Sequence, residues 1–174
     1  MPVNIEIKAH CPDPGKASEI LIGLKAEHKG TDHQIDTYFL VKDGRLKLRE
    51  GRIENNLIFY KRSDQSGPKR SDVLLYPGSS NPNLKNILHE VLGTMVVIDK
   101  QRDIYFIGNV KFHIDKVKGL GSFIEIEAIG EEGQEAELDS QCKHFIELLG
   151  ISEDQLLSVS YSDLLLEKNR NENN

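Results

Sequence analysis

Tryptophan is absent from this sequence, and cysteine occurs only twice, at Cys11 and Cys142. Neither cysteine stands in a CxxC or other metal-ligand spacing, which excludes a zinc ribbon, a redox dithiol and a disulfide-stapled scaffold. Two free thiols in a reducing, cytoplasmic compartment are expected. No apolar run approaches the roughly 20 residues that span a membrane. The first residues also lack the apolar stretch of a signal peptide. Positive charge is not in excess: 22 Lys and Arg stand against 28 Asp and Glu, a net charge of −6. That argues against general nucleic-acid or membrane-surface binding and leaves room for a local basic site. There is no internal repeat, P-loop, dinucleotide-binding glycine fingerprint or nucleophile elbow, and no Ser-His-Asp arrangement.

What the chain does have is charge. Charged residues make up 29% of it against 38% hydrophobic, so one domain must hold many charges, outside or inside. The length suits a single domain with a core, residues 1–166, followed by a polar and frayed tail, 167–174.

Turn and periodicity signals give the element order. After a strand at 4–10, Asp13-Pro14-Gly15 starts a helix that carries Ala17, Ile20, Leu21 and Leu24 and ends at Gly30. Strands follow at 34–40, 45–50, 57–62 and 72–76, separated by Gly- and Ser-rich turns. A second helix runs from Pro82 to Gly93. Strands resume at 94–100, 101–107, 109–117 and 122–129, and a third helix through Cys142 and Phe145 ends at Gly150. Ser152-x-x-Gln155 is a capping box opening a short fourth helix. Tyr161 to Leu165 forms a final helical turn or two. The pattern is α+β, with about eight antiparallel β-segments and helices at the start, middle and end.

Inside these strands the charges share one phase. Glu6 and Lys8 are two apart, as are Arg45, Lys47 and Arg49, Lys100 and Arg102, Lys111, His113 and Asp115, and Glu125 and Glu127. Side chains two apart share a face of a sheet, and apart from Gln101 the intervening residues are Ile, Leu and Phe. A sandwich with a charged outer face would explain the alternation but not the clustering by sign, with one strand all basic and another all acidic. The other solution is an inside-out barrel, its apolar face outward under the helices and its charged face lining a wet interior. Such an interior suits an anion held by Lys and Arg together with a metal held by carboxylates, as in a polyphosphate bound with Mg²⁺ or Mn²⁺.

The sequence resembles the CYTH domain family, the triphosphate tunnel metalloenzymes, which include class IV adenylyl cyclases, thiamine triphosphatases and tripolyphosphatases. The resemblance rests on Asn4-Ile5-Glu6-Ile7-Lys8, Asp36-Thr37-Tyr38-Phe39, Arg45 to Arg49, Tyr60-Lys61-Arg62, Lys100-x-Arg102 and His113-Ile114-Asp115. It continues through Gly119-Leu120-Gly121-x-Phe123-x-Glu125-x-Glu127 and Tyr161 to Leu165. It implies an eight-stranded antiparallel β-barrel, with helices outside, that binds a triphosphate along its axis. Glu6, Glu125 and Glu127 are then metal ligands, while Lys8, Lys47, Arg49, Lys61, Lys100 and Arg102 grip phosphate oxygens. Asp115 helps place a metal or its water. The catalytic set is Glu6, Lys8, Asp115 and Glu125. Arg45, Arg62, Lys111 and His113 are weaker candidates, because twist or a bulge can turn them out. Tyr161 and Asp163 read as packing and capping residues, and His10, His28, His89 and His144 as surface. One departure stands out: the family's first motif glutamate is Asn4, a neutral ligand that weakens a cation site.

The GLG-x-F-x-E-x-E element and YSDLL look most like the class IV adenylyl cyclases, which implies conversion of ATP to cyclic AMP and pyrophosphate. The alternatives are a triphosphatase for inorganic, nucleoside or thiamine triphosphate, and a non-catalytic polyphosphate or nucleotide binder. The missing Trp counts against thiamine, since it removes the best stacking group for a thiazole ring. The implied partner is a small-molecule triphosphate, with no nucleic acid and no membrane. The family can form dimers, and no sequence feature decides the oligomeric state.

Overall fold

The computed structural model describes residues 2–78 and 81–174. Ser79 and Ser80, in the Ser-rich turn expected before the second helix, and Met1 lie outside the described residues. The elements in chain order are β1 (Pro2–His10), α1 (Pro14–Gly23), β2 (Glu27–Phe39), β3 (Arg45–Glu50), β4 (Asn56–Arg62) and β5 (Lys69–Pro77). After them come α2 (Pro82–Leu92), β6 (Thr94–Ile107), β7 (Val110–Val117), β8 (Gly121–Glu131), α3 (Glu135–Leu148), β9 (Leu156–Leu157) and α4 (Tyr161–Glu172).

The strands run antiparallel in the order β5-β4-β3-β2-β6-β7-β8-β1, and pairing of β1 with β5 closes an eight-stranded barrel. The free edge of β1 is divided: Val3 to Glu6 pair with β5, and Lys8 and Ala9 pair with the short β9. Closure removes the exposed sheet edges that invite aggregation.

Alternation sets which face is which. Val3, Ile5, Ile7 and Ala9 of β1 point outward with Phe112 and Ile114 of β7 and Ile124 and Ile126 of β8. They bury against Ala17 and Leu21 of α1 and Leu138, Cys142 and Phe145 of α3. The Phe112 and Phe145 rings meet edge to face with centroids 4.8 Å apart. Truncating a core residue such as Leu21 to Ala would cost about 2–5 kcal/mol. A second apolar cluster lies within the barrel at one end. There Tyr38, Ile98, Val117 and Phe123 pack against Tyr161, Leu164 and Leu165 of α4, so this helix plugs the barrel.

Several boundaries differ from expectation. The first helix stops at Gly23, because Leu24 caps it and Lys25 takes a left-handed conformation (φ 60°). Residues 27–33 are drawn into β2 by pairing with β6, and Gly30 (φ 132°) sits at a bulge between them. Strands expected at 94–100 and 101–107 are one strand, β6, held continuous by its partners on both sides. The Ser152 capping box opens only a 3₁₀ turn, Glu153–Gln155. The last helix, capped by Ser160 with Asp163, continues to Glu172 through the segment expected to fray. Both cysteines are free and buried. No helix among the described residues is long and apolar enough to cross a membrane.

Candidate active site

The inward phase of the strands fills the lumen with paired charges. Asp36 of β2, 1% exposed, receives Arg49 through two bonds of 2.8 Å, with Lys100 Nζ at 2.7 Å and Lys47 Nζ at 3.3 Å from the same carboxylate. Burial alone would raise this carboxyl, but Arg49, Lys100 and Lys47 hold it well below the usual range. In return, burial and the neighbouring Arg102 and Arg49 push the Lys100 ammonium well below its ordinary value.

Arg102 is the second hub. Its Nε and Nη2 donate to Asp115 at 2.7 and 2.6 Å, and Nη2 also reaches Glu125 Oε2 at 3.0 Å. The Tyr161 hydroxyl donates to Asp115 Oδ2 at 2.7 Å, which ties the α4 plug to this hub. Glu125 also accepts Lys8 Nζ at 2.6 Å and faces His113 Nδ1 at 2.9 Å. Lys8 Nζ sits 3.4 Å from the Tyr161 ring centroid, a cation–π contact. Burial would raise Glu125, yet Lys8 and Arg102 keep it well below the ordinary carboxylate value.

Toward the other end the charges loosen. Glu6 pairs with Arg62 Nη1 at 2.9 Å, while Glu127 has only Asn4 Nδ2, at 2.6 Å. Burial, and then the nearby Glu6, push Glu127 up to about 7. Several buried polar atoms have no protein partner: Asn4 Oδ1, Arg62 Nε and Nη2, and His113 Nε2. Burial and Arg102 lower His113 to about 4, so its ring is neutral at pH 7. With Nδ1–H facing Glu125, Nε2 is left as an open acceptor.

The structure therefore brings together Glu6, Lys8, Lys47, Arg49, Lys100, Arg102, Glu125 and Glu127 around one cavity of about 190 Å³. Lys61 does not join them. In β4 the inward residues are Ile58, Tyr60 and Arg62, so Lys61 points outward to an exposed ion pair with Asp43. Arg62, Lys111 and His113, the weaker candidates, do line the cavity. Asp115 is wholly buried with both oxygens engaged by Arg102 and Tyr161, so it braces the arginine and does not line the cavity. Arg45 lies at the α4 end, paired with Asp163 at 2.8 Å. Tyr161, expected only to pack, lines the cavity as well.

Two acids escaped the sequence reading. Asp36 lies in a motif with no charged neighbour two residues away. Glu54 lies in the irregular β3–β4 loop, where no periodicity shows which way a side chain points. Only the inward phase of β2 offered a signal, and only for Asp36.

The oxygen donors fit a hard divalent cation. Glu6 and Glu127 are direct partners across β1 and β8, Glu127 lacks a cationic partner, and Asn4 Oδ1 is free beside them. Among the described residues no three His, Cys, Asp or Glu side chains are gathered into a ready-made metal site.

The family model for the CYTH domain matches residues 3–161. Among curated proteins none matches the chain. PH1012 from Pyrococcus horikoshii OT3 superposes with a TM-score of 0.78 at 22% identity, covering 92% of this chain and 98% of that one. A Vibrio parahaemolyticus protein, named provisionally as an adenylate cyclase, gives 0.71 at 17% identity over 93% and 97% of the two chains. HpAC1 from Hippeastrum, described as having a dominant triphosphatase activity, gives 0.59 at 14% identity over 97% and 96%. At these identities the likeness establishes the fold.

Proposed function

The chain belongs to the CYTH domain family, and on that footing we propose that it is a divalent-metal-dependent enzyme that hydrolyses a triphosphate held in the barrel. The observation that carries this reading is the shape and charge of the lumen. Basic side chains from β1, β3, β4, β6 and β7 converge on a space of about 190 Å³, below the roughly 300–1,000 Å³ of pockets that enclose drug-sized ligands. In this reading the cavity takes the triphosphate chain, and any organic group stays outside it.

The parts divide the work. Lys8, Lys47, Arg49, Lys100 and Arg102 offset the negative charge of the phosphate oxygens and of the leaving group, in a site where low dielectric strengthens each contact. Arg62 Nε and Nη2 are donors without protein acceptors and are available to an anion. The proposed ligands of Mg²⁺ or Mn²⁺ are Glu6 and Glu127, with Glu125 and the Asn4 carbonyl beside them. When bound, the cation neutralises phosphate oxygens and polarises the phosphorus. His113 Nε2 orients an attacking water as its acceptor. Asp36 and Asp115 hold the basic groups in place from behind.

A second reading, cyclisation of ATP with release of pyrophosphate, is favoured by Gly119 to Glu127 and Tyr161 to Leu165, which look like the class IV cyclases. The test is incubation of purified protein with ATP, thiamine triphosphate and tripolyphosphate, each with Mg²⁺ and with Mn²⁺. Orthophosphate release is expected. Cyclic AMP with pyrophosphate would establish the second reading, and saturable binding without turnover would show a binder.

A further inference from the structure

One lumen carboxylate has no part in the reading above. The inward acids Glu6, Asp36, Asp115, Glu125 and Glu127 all stand on strands, fixed in the wall by the sheet. Glu54 alone comes from a loop, residues 51–55, in which Arg52 and Ile53 are exposed and Asn55 is half-buried. Its carboxylate nonetheless lies deep in the lumen. Oε2 accepts Arg49 Nη1 at 2.7 Å and Oε1 pairs with Lys111 Nζ. Gln34 Nε2 stands 3.4 Å from Oε2. Burial would raise this carboxyl, but Arg49, His113 and Lys111 hold it far below its ordinary value.

The surrounding sequence presents Glu54 to these bases. Asp32, 1% exposed, accepts the backbone N–H of Arg52 at 2.8 Å and of Glu54 at 3.0 Å. Gly51 has no side chain because any Cβ would run into Asp32 Oδ2 and come within 2.7 Å of Glu54 O. Asp32, Gln34 and Gly51 thus support the inward reach of Glu54 from a loop whose Arg52 and Ile53 face solvent.

We propose that Glu54 is a resident anion: its carboxylate occupies the grip formed by Arg49 and Lys111 where a phosphate group of the ligand binds, and the ligand must displace it. The proposal rests on the reading of the lumen as a triphosphate site. Two chemical facts favour it. A carboxylate and a phosphate oxygen use the same donors on Arg and Lys, so they compete for one set of hydrogen bonds. A strand-borne acid keeps its backbone fixed in the sheet, whereas Glu54 can withdraw by side-chain rotation together with a shift of loop residues 51–55. Emptying the grip without its placeholder would strip Lys111 of its carboxylate and leave Arg49, still held by Asp36, with an unpaired Nη1, which is costly in a low-dielectric interior. Glu54 therefore keeps the ligand-free barrel stable and weakens binding of any anion that does not outbid it. It acts as a positioning and selectivity residue, favouring ligands with several linked phosphates.

The test is calorimetric titration of the full chain with tripolyphosphate in EDTA, comparing wild type with Glu54→Gln and Glu54→Ala, alongside the melting temperature of each ligand-free protein. Tighter binding by both variants, by about fivefold or more, is expected, with a lower melting temperature before ligand is added. A merely structural brace would not raise affinity when removed. Equal or weaker binding by folded variants overturns the proposal and leaves the triphosphate reading standing. A loss of Mn²⁺ affinity in Glu54→Gln, titrated with Mn²⁺ alone, overturns it by making Glu54 a metal ligand. No binding of tripolyphosphate in EDTA by wild type or either variant overturns the proposal, and no binding when the titration is repeated with Mn²⁺ in place of EDTA overturns the triphosphate reading as well.

Discussion

Glu6 and Glu127 face each other in register across β1 and β8, yet turn to different partners, Glu6 to Arg62 and Glu127 to the amide of Asn4. Burial and the Glu6 charge push Glu127 up to about 7. A divalent cation needs the ionised carboxylate, so protons and metal compete for Glu127. Mn²⁺ affinity should rise up to about tenfold per pH unit as pH climbs toward 7 and level off above it. Titration of Mn²⁺ by calorimetry at several pH values checks this. A flat profile between pH 5.5 and 7 would remove Glu127 from the metal site.

Asn4 stands where the resemblance to the CYTH family implies a glutamate. Its Oδ1 is buried without a partner, so a carboxylate there would add charge where an oxygen donor already stands. Asn4→Asp should tighten Mn²⁺ binding by about fivefold or more. Unchanged affinity in a folded variant would place the cation elsewhere.

Asp115 is expected to matter for the fold as much as for activity. Asp115→Asn leaves Arg102, 2% exposed, without its main countercharge. Breaking such a buried pair costs about 3–5 kcal/mol, which a guanidinium unfolding curve would register. Tyr161→Phe, which removes one hydrogen bond to the same carboxylate, should cost about 1 kcal/mol.

Neighbouring cations in β4 should behave oppositely. Lys61→Ala removes an exposed pair with Asp43 and should leave tripolyphosphate binding unchanged. Arg62→Ala removes a lumen cation and should weaken binding about tenfold or more. Equal effects in the same titration would mean that the inward phase of β4 is misassigned.

His113 gives the stability a pH dependence whose sign can be worked out. Folded, it titrates near 4, held down by burial and then by Arg102; unfolded, it titrates near the ordinary 6.5. Between those values the unfolded chain binds a proton that the native state refuses, so stability falls as pH drops from about 6.5 to 4. The loss attributable to this residue is about 3 kcal/mol. Depressed acids such as Asp36 act in the same direction at lower pH, so the measurement is a difference: His113→Gln should lose less stability than wild type between pH 7 and 4.5.

Much of this was legible in the chain because a strand has a period of two. Glu6 with Lys8, Lys47 with Arg49 and Glu125 with Glu127 each announce a charged face, with isoleucines and leucines on the other, while Lys100 with Arg102 share the phase opposite Asp99, Gln101 and Asp103. Helix starts at Pro14 and Pro82 were equally plain, since capping is local chemistry, whereas the Ser160 cap of the last helix emerges from the structure. Boundaries set by distant partners were not: residues 27–33 join β2 only because β6 runs beside them, and the tail becomes helix as α4 continues past its contact with the barrel.

The sequence by itself determined the inside-out alternation, the sign of charge on each strand and the kind of ligand such a lumen invites. Tertiary structure decided which neighbour in a charged dipeptide faces inward, as with Arg62 over Lys61. It also decided that Asp115 is spent on Arg102 and that Glu54 reaches the grip from a loop. Those outcomes depend on closure of the barrel, which brings residues far apart in sequence within hydrogen-bonding distance, and no local pattern encodes that approach.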